Sequence, residues 1–139
     1  MVVIPAKPIV KGQLEAEVVF SHKPISFIGG VDPQTGVIRD PLSDCLGKSI
    51  TDKVYVFPFG KGSSGAGLVL LEMARVGKAP AALINLRTDS VLMTGPLISR
   101  EFYQKPILVF NVDEAGMERL ATAKRVRLDA ENAAIAILE

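Results

Sequence analysis

Apolar positions in this chain come in short runs separated by proline, glycine and charge. From Val10 to Phe20, VKGQLEAEVVF alternates in part between apolar and polar residues, the period of a half-buried strand. The stretch ISFIGGVDPQTGVIRDP is broken at Gly29, Gly30, Pro33, Gly36 and Pro41. It predicts a short strand, a turn around DPQTG, and a second short strand through Val37 and Ile38. KVYVFPF reads as a buried strand that Pro58 ends. From Ser64 to Val76 there is no proline, and Ala, Leu, Val and Met dominate, which predicts a helix of about three turns. Gly77 stops it, with Arg75 well placed in the last turn. Only Glu72 and Arg75 are charged, so the helix is expected to be buried on most sides. AALINLR is then a strand, PLISREFYQ a short helix and PILVF another buried strand. The alternation of strand and helix from 53 to 110 predicts a parallel α/β unit. KRVRLDAENAAIAILE predicts two strands around a turn at DAEN. The expectation is one α/β domain spanning 1–139, with extra β structure from the N-terminal third and the C-terminal tail.

Composition narrows the chemistry. The 139 residues are 48% apolar, enough for a sizeable core. A net charge of +1 gives no electrostatic footprint for nucleic acid or an anionic membrane. No apolar run is long enough to span a bilayer. The start, MVVIPAKPIVKGQ, lacks the basic and apolar regions of a signal peptide, so a cytoplasmic protein is expected. One cysteine, Cys45, and one histidine, His22, cannot by themselves build a structural zinc site or an iron–sulfur cluster. Any metal the chemistry needs must come from a partner.

The densest cluster of small residues is FGKGSSGAG, residues 59 to 67, between a strand and a helix. Glycine lets a ligand approach the backbone, and the first N–H groups of a helix have no intrahelical partner. With Lys61 alongside, this is the physics of an anion site. The alternative is that Ser63 or Ser64 simply caps the helix while the glycines make the turn. A P-loop is excluded, because Lys61 lies between glycines with no serine directly after it. Gly60, Gly62 and Gly65 match G-x-G-x-x-G, but no acidic residue offers itself for a ribose. A Ser-His-Asp triad is disfavoured, since His22 lies far away in the polar turn SHKP.

PISFIGGVDPQTGVIRDP followed by VFPFGKGSSGAGLVLLEMARVGKAPAALI resembles the small subunit of aconitase X, over roughly residues 10 to 110. The GSS turn also resembles the Gly-Ser-Ser-Arg turn of the swivelling domain of ordinary aconitases. The resemblance implies a swivelling β/β/α fold and a hydro-lyase activity. The implied reaction is loss of water from (R)-5-phosphomevalonate to give trans-anhydromevalonate 5-phosphate, in the archaeal mevalonate route to isoprenoids. It implies a heterodimer whose large subunit carries a four-iron four-sulfur cluster, acting as Lewis acid on the substrate hydroxyl and carboxylate. Ser63 is then the base. Ser64 and the following N–H groups hold a substrate oxyanion, with Lys61, Gly62 and Gly65 at the same turn. Gly65 stands where ordinary aconitases have a substrate-binding arginine, so Lys61 or the large subunit must supply that charge. Gly29, Gly30, Asp32 and Arg39 would line the cleft facing the large subunit; the alternative is a plain turn capped by Asp32. Arg87 and Asp89, at a strand end, read as an exposed loop pair, His22 as a surface turn residue, and Cys45 as incidental. Two alternatives stay open: the small subunit of a cis-3-hydroxy-L-proline dehydratase, and a non-catalytic binding domain with the same fold.

Overall fold

A computed structural model describes residues 2–60, 66–88, 90–102 and 106–139. Eight strands form a sheet in the order β1-β8-β7-β3-β4-β5-β6-β2. In chain order they are β1 (Val2–Pro5), β2 (Lys7–Val10), β3 (Gln13–Phe20), β4 (Val54–Val56), β5 (Ala82–Asn85), β6 (Leu108–Asn111), β7 (Arg125–Asp129) and β8 (Ala134–Ile137). β3, β4, β5 and β6 are mutually parallel, as the strand–helix alternation predicts. β3 is shared between two regions. Gln13–Glu17 pair antiparallel with β7, while Val18–Phe20 pair parallel with β4. The outermost strands, β1 and β2, are joined through the single residue Ala6, whose N–H donates to the Ala133 carbonyl at 2.9 Å. The sheet therefore bends round until its two edges meet.

Successive residues of a strand face opposite sides, and here both sides are covered. Val54, Val56, Ile84 and Phe110 face β1, β7, β8 and helix α4 (Glu114–Leu120). Tyr55, Phe57, Leu83 and Val109 face helix α2 (Ala66–Arg75) and the segment from Ile25 to Ile50. Double coverage explains why VYV and LVF carry no polar alternation. These β, β and α layers are the ones that the resemblance to a swivelling β/β/α domain implies.

Helix α2 ends as expected. Gly77, at φ +79°, donates to the Ala74 carbonyl at 3.2 Å, and Lys78 donates to Met73 at 2.8 Å, the Schellman pattern. Its burial is less complete than its composition suggests. Leu70, Met73 and Ala74 are buried, whereas Leu68 is 64% exposed and faces outward. Helix α3 (Ser90–Phe102) starts six residues before Pro96 rather than at it. Its contact with α2 is close: a Cβ on Gly95 would lie 2.5 Å from the Gly67 carbonyl oxygen. The expected strand at ISFIGG is instead a single helical turn, α1 (Phe27–Gly30), broken at Ile28 and Gly29. Val37 and Ile38 make one bridge each, to Ser49 and Val31, rather than a strand.

Candidate functional site

The parallel strands β3 to β6 place the loops that follow them at one end of the sheet, where α/β proteins gather their ligand sites. Two glycine motifs meet there. Ile25, just before FIGG, forms a parallel bridge with Gly60, the residue that opens GKGSSG. Its N–H donates to the Phe59 carbonyl at 3.4 Å. Segments 35 residues apart in sequence are thereby set side by side at the entry to residues 61–65. Ser63, Ser64, Lys61, Gly62 and Gly65 lie outside the described residues, and so does Asp89.

DPQTG is a turn, as predicted. The Asp32 carbonyl accepts from Gly36 N–H at 2.8 Å, and Asp32 Oδ1 accepts from Gln34 N–H at 2.9 Å. Gly36 is needed there: its φ is +74°, and a Cβ would collide with Thr51 Oγ1. Arg39 pairs with Asp32 at 3.0 Å. The Gln34 N–H is the main cause holding the Asp32 carboxyl below its usual range, with Thr35 and Arg39 adding to it. The Gly30 carbonyl accepts from both Arg39 and Asp40 N–H groups, at 2.8 and 3.2 Å, so α1 and this hairpin form one unit. Gly29, at φ +76°, is exposed, and Gly30 is buried.

The residues expected to be incidental are better integrated than that. Asp44 Oδ2 accepts from the His22 backbone N–H and lies against its ring Nδ1, both at 2.9 Å, while Oδ1 accepts from Ser21 Oγ at 2.8 Å. Burial pushes the Asp44 carboxyl up, but His22 and Ser21 outweigh it and bring its pKa down to about 2. His22 is an exposed turn residue, as read from the sequence, yet its ring packs edge-on against Phe20. The arrangement is not a triad, because Asp44 stands between the serine and the histidine. Cys45 is not in an open turn: it is 1% exposed within the core, and its thiol donates to the Phe20 carbonyl at 2.9 Å.

A second polar group at the sheet end is not evident in the motifs. Asn85 and Asn111 end β5 and β6 and pair in register. Asn111 Nδ2 donates to Asn85 Oδ1 at 2.6 Å and to Thr88 Oγ1 at 3.0 Å, and Thr88 donates to Asn85 Oδ1 at 2.7 Å. The signal was an asparagine closing each of two apolar strands, in LIN and LVFN. Beside this network, the Arg87 guanidinium carbon stands 4.3 Å from the centroid of the Phe59 ring. Phe59, Gly60, Arg87 and Thr88 line a cavity of about 100 Å³. A larger hollow, about 270 Å³, lies near the opposite ends of the parallel strands. Among the described residues Asp52 is the one charged residue in its lining, beside Leu14, Pro80 and Ile107.

The iron–sulfur cluster implied by the aconitase resemblance does not fit this chain. A cluster takes three or four thiolates, and there is one cysteine. Burial, reinforced by the Asp44 carboxylate, pushes the Cys45 thiol up, away from the ligating form. Among the described residues no three His, Cys, Asp or Glu side chains stand together as a metal site. None of the helices among them is long and apolar enough to cross a membrane.

Comparison with known proteins agrees with the layers and the motifs. The aconitase X swivel domain matches residues 3–137. A phosphomevalonate dehydratase small subunit of Thermococcus kodakarensis is 39% identical over 136 residues, covering 98% of this chain and 96% of that protein. One of Pyrococcus horikoshii is 41% identical over 135 residues, covering 97% and 95%. The crystal structure of Thermococcus kodakaraensis aconitase X in its holo form superposes with a TM-score of 0.85 at 36% identity, over the whole of both chains. With its motifs, its layers and nearly its full length in agreement, the chain belongs to the aconitase X family and has the fold of that family's swivel domain.

Proposed function

We infer that this chain is the small subunit of a heterodimeric hydro-lyase that converts (R)-5-phosphomevalonate to trans-anhydromevalonate 5-phosphate. The observation that carries the reading is near full-length similarity to relatives named phosphomevalonate dehydratase small subunit. The meeting of the FIGG and GKGSS segments at Ile25 and Gly60 supports it, because it gathers both resembling motifs at one end of the sheet. A large subunit completes the enzyme and carries the iron–sulfur cluster, since a single cysteine cannot. The same reading makes this a cytoplasmic enzyme of isoprenoid biosynthesis.

In this reading Ser63 is the base. The proton alpha to the substrate carboxylate is weakly acidic. Ser63 takes it, the C–H electron pair becomes the alkene π bond, and the tertiary C–O bond breaks with its electron pair on oxygen. That hydroxide takes up one proton and leaves as water, and Ser63 returns its own proton to solvent. The positive end of α2 favours the ionised serine. Ser64 and the N–H groups at the turn hold the oxyanion, with Lys61, Gly62 and Gly65 around it. Gly29, Gly30, Asp32 and Arg39 belong to the face turned toward the large subunit.

The test is to mix the purified chain with its candidate large subunit, anaerobically and with the cluster intact, and follow water loss. Turnover of phosphomevalonate that needs both chains is the expected result. Turnover of cis-3-hydroxy-L-proline instead would keep the family and replace the substrate. A complex inert to both would favour a non-catalytic domain.

A further inference from the structure

The cavity between Phe59, Gly60, Arg87 and Thr88 has no role in the reading so far. Three observations bear on what it could hold. First, Arg87 is exposed, and no carboxylate pairs with it among the described residues. Its guanidinium carbon stands 4.3 Å from the Phe59 ring centroid, a cation–π contact, and a guanidinium can also bind an oxyanion through two N–H groups at once. Second, the loop that carries it is fixed from below. Thr88 is bonded to both Asn85 and Asn111, so the Arg87 backbone is anchored at the next residue. Third, Asn85 is fully buried, and its Nδ2 has no hydrogen-bond partner among the described residues. A buried donor left unpaired is costly and calls for a cause. That nitrogen shares a carbon with the oxygen that holds Thr88, a lining residue of the cavity. A cation and a small hollow thus coincide at the strand ends, beside Gly60, and the unpartnered amide belongs to the asparagine that holds the lining residue Thr88.

We propose that Arg87, seated on Phe59 and supported by the Asn85–Thr88–Asn111 network, binds the phosphate of the substrate and so selects the phosphorylated molecule. The proposal rests on the phosphomevalonate reading. Dehydration takes place at the carboxylate and hydroxyl end, so a cation beside Gly60, separate in sequence from the serines, suits the other, dianionic end. Arg87 acts in binding rather than in the bond-breaking step.

The test compares the reconstituted heterodimer with its Arg87→Ala variant. KM for phosphomevalonate should rise about 10- to 100-fold, the worth of one hydrogen bond to a charged group, while kcat changes little. Arg87→Lys should recover part of the loss, because it keeps the charge without the planar fork. Inorganic phosphate should compete in the wild type and lose its hold on the alanine variant by a similar factor. Unphosphorylated mevalonate, which shares the carboxylate and hydroxyl, should inhibit both alike. If mevalonate loses its hold and phosphate does not, Arg87 faces the carboxylate end and the proposal is overturned. Weakened assembly with an unchanged KM would make Arg87 an interface residue and equally overturn it.

One readout is independent of turnover. Inorganic phosphate should raise the Tm of the wild-type heterodimer and not that of Arg87→Ala. A heterodimer that ignores phosphomevalonate yet shows this difference would refute the functional reading and leave the anion site standing. Equal stabilisation of both proteins by phosphate overturns the site, whatever the substrate.

Discussion

Replacing Gly95 by alanine tests how the serine turn is held. Gly95 lies where α3 crosses α2. An added Cβ would stand 2.5 Å from the Gly67 carbonyl oxygen, 3.2 Å from its carbonyl carbon and 2.9 Å from Leu70 Cβ. Carbon contacts settle at about 3.5–4.0 Å, so the helices must separate by roughly 1 Å. Two of those atoms are backbone, so no rotamer change relieves the clash. Overpacking of this kind costs about 1–3 kcal/mol, and this site belongs in the upper half of that range. Alanine's better helix propensity offsets about 1 kcal/mol. The net expectation is a loss of about 1–2 kcal/mol, read by urea denaturation of the isolated chain. Leu68→Ala is the control: it lies on α2, the helix that Gly95 packs against, at 64% exposure and should change stability by less than about 0.5 kcal/mol. Gly67 is in the first turn of α2, two residues after the 61–65 stretch in sequence. The reconstituted enzyme should therefore lose kcat out of proportion to stability, since misplacements of about 1 Å cost catalysis heavily. An alanine variant as stable as the wild type, or stabilised by the propensity gain, would refute the close-contact argument.

Further outcomes follow from other contacts. Asp44 has a folded pKa of about 2 against an ordinary value of 3.8. Its contribution is complete above its unfolded pKa and is lost as the pH falls from there toward 2. Discounted for solvent screening, it amounts to about 1 kcal/mol. Acid titration of stability in wild type and Asp44→Asn should show that slope only in the wild type. Gly36→Ala meets Thr51 Oγ1 and the Lys78 carbonyl at a positive φ, and should lose about 1–3 kcal/mol by urea denaturation. Asn111→Ala removes the donor to Asn85 Oδ1 and Thr88 Oγ1. It should destabilise by about 1–3 kcal/mol, and calorimetry showing no change would remove the network from the account.

Legibility in the sequence followed local patterning. The strands β4, β5 and β6 and helix α2 were readable because each is a continuous apolar run bounded by proline or glycine. The pairing of β7 with β8 was readable from the polar turn DAEN between them. β1 was not, because VVIP is mostly exposed and is held by β8, at the other end of the chain. α4 is too short for a helical period, although Asp113 caps it by accepting from Gly116 N–H at 2.8 Å. The start of α3 was misplaced because proline favours the first turn of a helix. Here α3 runs through Pro96, packed on α2 at Gly95. FIGG looked strand-like by composition, yet its glycines allow the broken turn that follows the Ile25–Gly60 bridge. For the site, the serine turn and the family resemblance were readable, but the Asn85–Asn111 pair was not. It depends on the register between two strands separated by a whole helix.

The central claim is that this chain supplies the base of a dehydratase completed by another subunit. Its most direct test is Ser63→Ala in the reconstituted heterodimer, with assembly monitored alongside the steady-state dehydration rate. The account predicts a complex that forms normally and a kcat lower by about 10²- to 10⁴-fold, the usual worth of a positioned proton acceptor. Undiminished turnover by an intact Ser63→Ala complex would contradict it and move the base to Ser64 or to the large subunit.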